Sequence, residues 1–444
     1  MRRHYLVPIL LAILFLIYFP MKNFTGLSNK QIQAVLIFIA LFIMLAMEYR
    51  HRTVISLTTL VILWYLGIMS SENMIHYMDF DVLGLLFGMM VIVETLREAG
   101  FLSILARSLI KLGMTKFYQL VIVFSLLTFL LSAFLDNATV VLVMVPIALE
   151  VCEIFGLNPV PVLITLNVSS NLGGVLTPVG DPPNIMISSH LGISFSDFIW
   201  NTAPVTLLAY LISLAFLVIV FRRQLGVGLE SIRFEDGYYA KNRRLLLFSV
   251  PTVVLVILLF LLEDITGIRP ASSAIYGAVF LLAVGGDSMP SILREVNWDL
   301  LIFLGSILIV SGALEKVGVL HIVAQVIFSS IQGNNLLLIT WITWLSSFIS
   351  AFVDNIPYTA VMIPTIDELV GLTGYDKLWW ILVISVGLGG IATPIASVPS
   401  LVVYSVLREK FGFKFSDFMK IGVSILILLS SLANSYYVVL SFLT

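Results

Sequence analysis

The sequence predicts an all-α polytopic membrane protein with about eleven transmembrane helices and two re-entrant hairpins, arranged as two inverted repeats. Composition is the first reason. The 444 residues are 59% hydrophobic and 11% charged, with a mean hydropathy of +1.07, which is far too apolar for a soluble globular protein. The other two reasons are apolar segments of membrane-spanning length and a second half that repeats the first.

The repeat appears as one numbering offset. A shift of 218 residues places SAFLDN at 132–137 on SAFVDN at 350–355, and it places Asp81 on Asp299. A slightly smaller shift places LGGVLTP, which begins at Leu172, on LGGIATP. Chance matching of small apolar residues does not explain an offset that holds over seventy positions without a gap. Because a repeat fixes the architecture, we interpret the chain as a duplicated unit.

Apolar segments of about 17 to 25 residues mark the crossings along the chain. They lie near 5–19, 31–48, 53–69, 80–96, 160–189, 204–221, 245–262, 271–286, 298–313, 377–405 and 421–442. The domains are accordingly an N-terminal transmembrane helix in 1–30, the first repeat in 31–222, a cytoplasmic linker in 223–244 and the second repeat in 245–444. Between the fourth crossing and the hairpin that follows, the amphipathic segment 101–114 is typical of an interfacial helix.

Two long apolar segments, 117–155 and 334–373, are each interrupted in the middle by Asp-Asn. Each could be two crossings joined by a polar turn, or a re-entrant hairpin that enters and leaves on the same side. A hairpin is favoured because buried Asp-Asn needs a cavity, and a tip at mid-depth supplies one.

The distribution of lysine and arginine predicts the orientation. With a cytoplasmic N-terminus and two re-entrant hairpins, 19 of these residues are cytoplasmic and 5 are external, a strong positive-inside bias. The C-terminus is then external, the two units are inverted, and the plasma membrane is the expected location. Inverted repeats with interrupted helices in matching positions point to a secondary transporter whose site lies near the bilayer midplane.

The carboxylates at the two interruptions, Asp136 and Asp354, are the first candidates for chemistry. A charged side chain at membrane depth costs about 2.5 to 3.5 kcal/mol, so it is treated as functional by default. Such a group can bind a hard cation or carry a proton. The alternative is a structural cap on the second helix of each hairpin. The amides that follow, Asn137 and Asn355, have the same two interpretations, so these four residues are the candidate Na⁺ ligands.

Two further segments, 169–184 and 385–400, are predicted to be unwound loops. The adjacent prolines at 182 and 183 prevent a continuous helix. An unwound loop frees carbonyl oxygens for a cation, while the helix that follows offers N–H groups to an anion. Close helix packing is the alternative explanation for Gly173 and Gly174. The second loop lacks the acid, one proline and the amide of the first, so we expect the two halves of the site to differ.

Other classes of function lack sequence support. A net charge of −2 gives no electrostatic basis for binding nucleic acid. The single cysteine excludes an intramolecular disulfide, and the five histidines lack metal-ligand spacing. No phosphate-binding GxxxxGK[ST] motif and no protease motif occurs, so we expect neither direct ATP coupling nor an enzyme. We therefore expect no cofactor beyond coupling Na⁺ or H⁺, although an ATPase subunit as a partner would leave no signature in this chain.

At these motifs the chain resembles the ion-transporter superfamily of divalent anion/sodium symporters, arsenite efflux permeases, a group of sodium/proton antiporters and the melanosomal P protein, with a citrate-transporter-like domain. The resemblance runs from about Asp79 onward and rests on FLDN at 134–137 and GDPPN at 180–184. It implies a homodimer in membrane lipid, with scaffold and transport domains that work by an elevator motion. Sodium and a small inorganic or organic ion would lie between the hairpin tips and the unwound loops.

The motifs and this resemblance together give one set of candidate ion-binding residues. They are Asp136, Asn137, Thr139, Ser170, Asn171, Gly173, Gly174, Thr177, Gly180, Asp181, Asn184, Asp354, Asn355, Thr359, Gly389, Gly390, Thr393 and Pro394. Two departures from the family pattern stand out: aspartate replaces serine at both tips, and Ile356 stands where a hydroxyl is expected. Extra carboxylates repel a dicarboxylate unless cations or protons bind with it.

The sequence thus predicts a secondary active ion transporter. The first interpretation is an anion permease, for an inorganic oxyanion or a carboxylate, coupled to Na⁺ or H⁺. A Na⁺/H⁺ antiporter and an anion channel are the alternatives.

Overall fold

The computed structural model describes residues 26–47, 50–101, 115–228, 242–331 and 333–443, together with the single positions 18, 22 and 104. Within these ranges the chain is helical, with short connections and an isolated β-bridge between Lys116 and Gly228. Apart from position 18, the predicted first crossing lies outside the described residues, as do most of the amphipathic segment after Gly100 and most of the predicted linker.

The helices of the first half follow the predicted order. They are α1 (Asn29–Ala46), α2 (Arg52–Tyr65), α3 (Ser71–Tyr77), α4 (Phe80–Ala99), α5 (Phe117–Ser132), α6 (Asn137–Ile154), α7 (Val160–Val175), α8 (Pro182–Leu191), α9 (Phe195–Val220) and α10 (Arg222–Leu225). The helices of the second half are α11 (Arg243–Leu261), α12 (Glu263–Thr266), α13 (Pro270–Gly285), α14 (Met289–Glu295), α15 (Trp298–Lys316), α16 (Val319–Ser330), α17 (Asn335–Ser350), α18 (Asn355–Thr373), α19 (Leu378–Gly389), α20 (Val398–Phe411) and α21 (Phe415–Leu443).

Membrane-spanning length is met by six helical segments of the described chain. They are Asn137–Ile154, Phe195–Val220, Arg243–Leu261, Pro270–Glu295, Trp298–Lys316 and Phe415–Leu443. Shorter apolar helices of 10–17 residues, among them α2, α7 and α19, account for further predicted crossings. The chain is therefore an all-helical, membrane-embedded protein. The number of eleven crossings and the inverted orientation stay predictions.

Helices from the two halves pack in matched pairs. Helix α4 packs on α13 and α2 packs on α15, and each pair joins one helix of each half. The α4–α13 contact is very close, since a Cβ on Gly88 would lie 2.6 Å from the carbonyl carbon of Ala274. In addition, α5 packs on α7 and α17 packs on α19, so each hairpin lies against the helix that leads into a loop.

The loops are shorter than predicted. Helix α7 continues to Val175 and α8 begins at Pro182, so only the six intervening residues leave the helix. In the second half, α19 ends at Gly389 and α20 begins at Val398. The expectation of an unwound loop from 169 and from 385 is therefore wrong at its beginning, because the first residues of both segments are helical and buried. The single predicted crossing 160–189 is correspondingly two helices.

Candidate ion-binding site

Each hairpin tip carries an aspartate that caps the second helix of its hairpin. Asp136 precedes α6 and accepts hydrogen bonds from the backbone N–H and the hydroxyl of Thr139, at 2.9 and 3.1 Å. Asp354 precedes α18 and accepts one from the backbone N–H of Ile356 at 3.0 Å. An N-cap carboxylate uses one oxygen for the helix, and the other can bind a ligand. Both carboxylates are partly exposed, so the capping role and a binding role are compatible.

The amides that follow the aspartates are buried and turned back to the first helix of each hairpin. The hydroxyl of Ser132 lies 2.5 Å from the amide group of Asn137, and Ser350 makes the same contact with Asn355. When the amide of Asn137 is oriented so that its nitrogen faces hydrogen-bond acceptors, that nitrogen also donates to the carbonyl oxygen of Gly180 at 3.1 Å. The amides therefore close the tips and connect the first tip to the loop before α8.

A threonine from each loop bonds to the hairpin tip of its own half. The hydroxyl of Thr177 donates to the carbonyl of Ala133, and the hydroxyl of Thr393 donates to the carbonyl of Ala351 at 2.5 Å. Both threonines are completely buried. The same contact, between a loop threonine and a carbonyl of the hairpin tip, thus occurs at matched positions in both halves.

The glycine pairs before the loops are contact points between helices. A Cβ on Gly173 would overlap the backbone carbonyl of Phe129 in α5, and one on Gly389 would lie 2.9 Å from the carbonyl of Ser347 in α17. Gly174 approaches the amide of Asn137 in the same way. Close packing, the alternative to an unwound cation site, therefore explains these glycines.

The loop of the first half carries a third carboxylate. Asp181 precedes α8, but within the described chain its side chain makes no capping bond to that helix. Its matched residue, Ser397, does cap α20, accepting from the N–H of Ser400 at 3.3 Å. The carboxylate of Asp181 instead takes a hydrogen bond from the side chain of Asn355, which belongs to the other hairpin tip. Asp181 therefore faces the space between the two halves.

The loops are held by side chains that differ in type but match in position. The amide of Asn184 donates to the carbonyls of Gly174 and Thr177, at 2.8 and 2.9 Å. At the matched position the hydroxyl of Ser400 donates to the carbonyl of Gly390 at 2.7 Å. The second half thus retains the support without the amide.

The three carboxylates line one cavity of about 90 Å³ between the hairpin tips. Its lining includes Asp136, Asn137, Asp181, Asp354, Asn355, Asn297, Ser397 and Arg52. Arg52 is the sole cation of that lining, and its guanidinium lies 3.5 Å from the carboxylate of Asp354 and 3.0 Å from that of Asp299. With all three lining carboxylates ionised, Arg52 would compensate at most one of them, because it also pairs with Asp299.

A larger cavity of about 340 Å³ adjoins the first and shares Asp136, Pro182 and Asn297 with it. Its lining carries a charge cluster in which Arg97 lies 3.2 Å from Glu94 and 3.9 Å from Glu295. The larger cavity therefore reaches the first hairpin tip, and its charged side chains lie in a lining that is otherwise mostly apolar.

Metal coordination by carboxylates alone is not available here. Within the described ranges no group of three or more His, Cys, Asp and Glu side chains is arranged to hold a metal ion. A sodium ion would therefore need amide and backbone carbonyl oxygens beside a carboxylate, which are hard ligands of the kind that the tips and loops present.

The structure brings together only part of the predicted set. Seven predicted residues line the two cavities, with Thr139 and Gly180 in the larger one: Asp136, Asn137, Thr139, Gly180, Asp181, Asp354 and Asn355. Asn184, Thr177, Thr393 and the glycines support the loops instead. Asn171 bonds to Asn167 within α7, at 2.9 Å from its carbonyl. Ser170 and Thr359 are buried hydroxyls without a hydrogen-bond partner in the described chain, and Pro394 lies in the loop after α19.

Sequence reasoning missed two residues of the smaller cavity. Arg52 reaches it from α2, over 200 positions from its partners, so no local motif could identify it. Asn297 was within reach of the repeat, because the offset that pairs Asp81 with Asp299 also pairs Asp79 with Asn297. Asp79 caps α4 and Asn297 caps α15.

Comparison with known proteins identifies the family of this chain. A family model described as a citrate transporter matches residues 39–385. An uncharacterized transporter of Mycobacterium tuberculosis is 33% identical over 387 residues, covering 85% of this chain and 90% of that protein. The human P protein is 26% identical over 498 residues, covering 91% of this chain and 59% of that protein.

A solved structure shows a similar fold. The YdaH transporter of Alcanivorax borkumensis, whose crystal structure is described as having an unusual topology, aligns with a TM-score of 0.56 at 12% identity, covering 92% of this chain and 98% of that one. The match of the family model over most of the chain and the 33% identity to the mycobacterial transporter show that this protein belongs to the citrate transporter family, within the ion transporter superfamily.

Proposed function

We propose that the protein is a secondary active transporter that moves a small anion, an inorganic oxyanion or a carboxylate, together with Na⁺ or H⁺. The observation that carries this proposal is the cavity between the hairpin tips. Three carboxylates face it with Arg52 as the sole lining cation. Because like charges repel, an anion can enter such a site only when cations or protons have first compensated the carboxylates. That requirement couples the two ions.

The site also divides the tasks between its residues. The Asp136 oxygen that does not bond to Thr139 and the Asp354 oxygen that faces Arg52, with the neighbouring amides and loop carbonyls, offer hard ligands for the coupling cation. Arg52 and the N-terminus of α8 offer positive potential for an anion. An elevator motion of the hairpins and loops, in a homodimer, would carry the loaded site across the membrane.

A second function, Na⁺/H⁺ antiport, is favoured by the same excess of negative charge. Carboxylates that exchange Na⁺ for H⁺ need no anion, and Arg52 would then only hold Asp354 in place. The two functions differ in one respect: an antiporter moves protons when sodium alone is supplied.

The discriminating experiment is a pH-gradient assay in proteoliposomes. Sodium is added first, and then citrate, a dicarboxylate or an inorganic oxyanion. The wild-type protein is compared with Asp136→Asn and with Asp287→Asn, a matched control at an exposed position after α13. A response that requires one anion, is abolished in Asp136→Asn and is unchanged in Asp287→Asn supports the anion permease.

Two other outcomes lead elsewhere. Proton movement with sodium alone, lost in Asp136→Asn, replaces the permease by an antiporter. An anion flux that never accumulates the ion against its gradient indicates a channel. If Asp136→Asn retains full coupled transport, Asp136 is not part of the coupling site.

A further inference from the structure

An ion pair between the two halves occurs twice, at positions that the repeat relates. Arg269 lies 2.7 Å from Asp81, and Arg52 lies 3.0 Å from Asp299. The offset of 218 pairs the two aspartates, and 217 pairs the two arginines. Each arginine comes from one half and binds the aspartate of the other. Since both pairs exist at once, they belong to contacts that obey the internal symmetry.

A third contact breaks this symmetry. Arg52 also lies 3.5 Å from Asp354, at the tip of the second hairpin. The symmetric counterpart would join Arg269 to Asp136, at the tip of the first hairpin, but the ion pair of Arg269 in the described chain is with Asp81. The Arg269 side chain is 74% exposed and lines an open cavity of about 230 Å³ with Asp81 and Ser189.

The residues that cap α4 and α15 break the symmetry in the same direction. Asp79, which caps α4, accepts a hydrogen bond of 2.7 Å from Ser189 near the end of α8. Asn297, its matched residue on α15, lines the site with Pro182 and Val398, at the beginnings of α8 and α20. The loop helices are thus displaced toward the end of the molecule that contains Asn297.

The size of this displacement follows from the matched positions. In a conformation with the two halves exchanged, Asp79 would take the place that Asn297 has in this structure, beside Pro182. Pro182 is seven residues from Ser189, the residue that Asp79 contacts now. At 1.5 Å per helical residue, α8 would slide by about 10 Å along α4. Such a slide would bring the first hairpin tip to the cavity beside Arg269.

We propose that in a second conformation Arg269 forms with Asp136 the ion pair that Arg52 forms with Asp354 in this structure, so that the two arginines alternate as counter-charge of the site. This inference rests on the proposed transport function, since only a site that changes its exposure needs two such positions. The ion pairs with Asp81 and Asp299 keep the two arginines in position while the hairpin tips move between them. In the predicted orientation Arg52 serves the cytoplasmic side and Arg269 the external side.

Paired cysteines test the second conformation directly, in a Cys152→Ser background that lacks other thiols. The pair Arg269→Cys and Asp136→Cys is treated with a bifunctional methanethiosulfonate reagent that spans an arginine–aspartate pair. The matched control is Arg52→Cys with Asp354→Cys, which are in contact in this structure. Cross-linking of both pairs is the expected result. Cross-linking of the control alone, in protein that elutes as a folded species, would overturn the proposal.

A second measurement avoids substitution at Asp136. Arg269→Gln is added to the control pair, where it should raise the rate of cross-linking by roughly fivefold, because it removes the contact that stabilises the competing conformation. Arg294→Gln, at an exposed position on α14, should leave the rate unchanged. An unchanged rate in Arg269→Gln would contradict the inference.

The two levels of the hypothesis fail separately. Cross-linking needs no substrate, so both cross-links in a protein that transports neither anions nor protons would refute the proposed function alone. Coupled transport by a protein in which the Arg269 pair never cross-links would refute the alternation of the arginines alone.

Discussion

Gly173 has no room for a side chain, because a Cβ there would overlap the carbonyl oxygen of Phe129 in the neighbouring hairpin helix. Gly173→Ala should therefore force α7 away from α5 and lower stability by about 1–3 kcal/mol, the cost of overpacking. The measurement is the midpoint of thermal unfolding in detergent. Gly371→Ala is the control, since this helical glycine has nothing within 4 Å of its Cβ position. A midpoint for Gly173→Ala equal to that of the control would show that the close approach is not needed.

Asn184 and Ser400 show that one structural task can be met by two side chains. Asn184 holds two loop carbonyls, and Ser400 holds the one that matches Gly174. Asn184→Ala should leave buried carbonyls unsatisfied, at a cost of about 1–3 kcal/mol. Asn184→Ser should recover part of that loss by bonding one carbonyl. Unfolding midpoints in the order wild type, serine and alanine are expected, and an alanine variant as stable as wild type would contradict this explanation.

How far single residues could be predicted depends on where their partners lie. Asp136 and Asp354 were identifiable because a charge inside an apolar segment stands out locally, and the structure places both in one cavity. Thr359, another candidate, lies outside the lining of this cavity and is buried in α18, so its role in binding stays a prediction. Arg52 carries no local signal, because its role arises from partners in the other half of the chain.

Each hairpin tip is closed by a threonine of the adjoining loop, which ties three elements together. Thr393→Val removes the hydroxyl that donates to Ala351 and leaves that carbonyl unpaired inside the protein. We expect faster amide exchange at the tip, by a factor that corresponds to about 1–3 kcal/mol of local stability. Hydrogen–deuterium exchange measures it. Thr340→Val is the control, because its hydroxyl bonds only to Leu336 within α17. Equal exchange in the two variants would exclude a closing role for Thr393.

The lengths of the loops show the limit of sequence patterns at the level of elements. Glycine pairs and polar residues before a proline favour unwinding, yet α7 stays helical through Gly174. The reason is packing: glycines let α7 lie against α5, and the helix keeps its backbone hydrogen bonds in an apolar interior. The prolines were the reliable signal, since α8 begins at Pro182 and α20 has Pro399 in its first turn.

The meeting of the hairpin tips constrains the whole molecule. On the predicted topology the first hairpin enters from the cytoplasmic side and the second from the external side. Both tips line the same small cavity. If each hairpin crossed the bilayer completely, the two tips would lie on opposite surfaces, about 30 Å apart. The shared cavity therefore supports re-entrant hairpins that stop part-way, whereas composition alone left both interpretations open.

Sided labelling of single cysteines tests this topology as a whole. In a Cys152→Ser background, Thr115→Cys before the first hairpin and Asp287→Cys after α13 should react with a membrane-impermeant maleimide only from the cytoplasmic side. Asp376→Cys, after the second hairpin, should react only from the external side. All three positions are exposed, so lack of reaction from one side reports membrane sidedness rather than burial. Labelling of Asp287→Cys and Asp376→Cys from the same side would contradict the inverted arrangement of the repeats. The two tips would then enter from one face, and a site alternating between Arg52 and Arg269 would have no geometric basis.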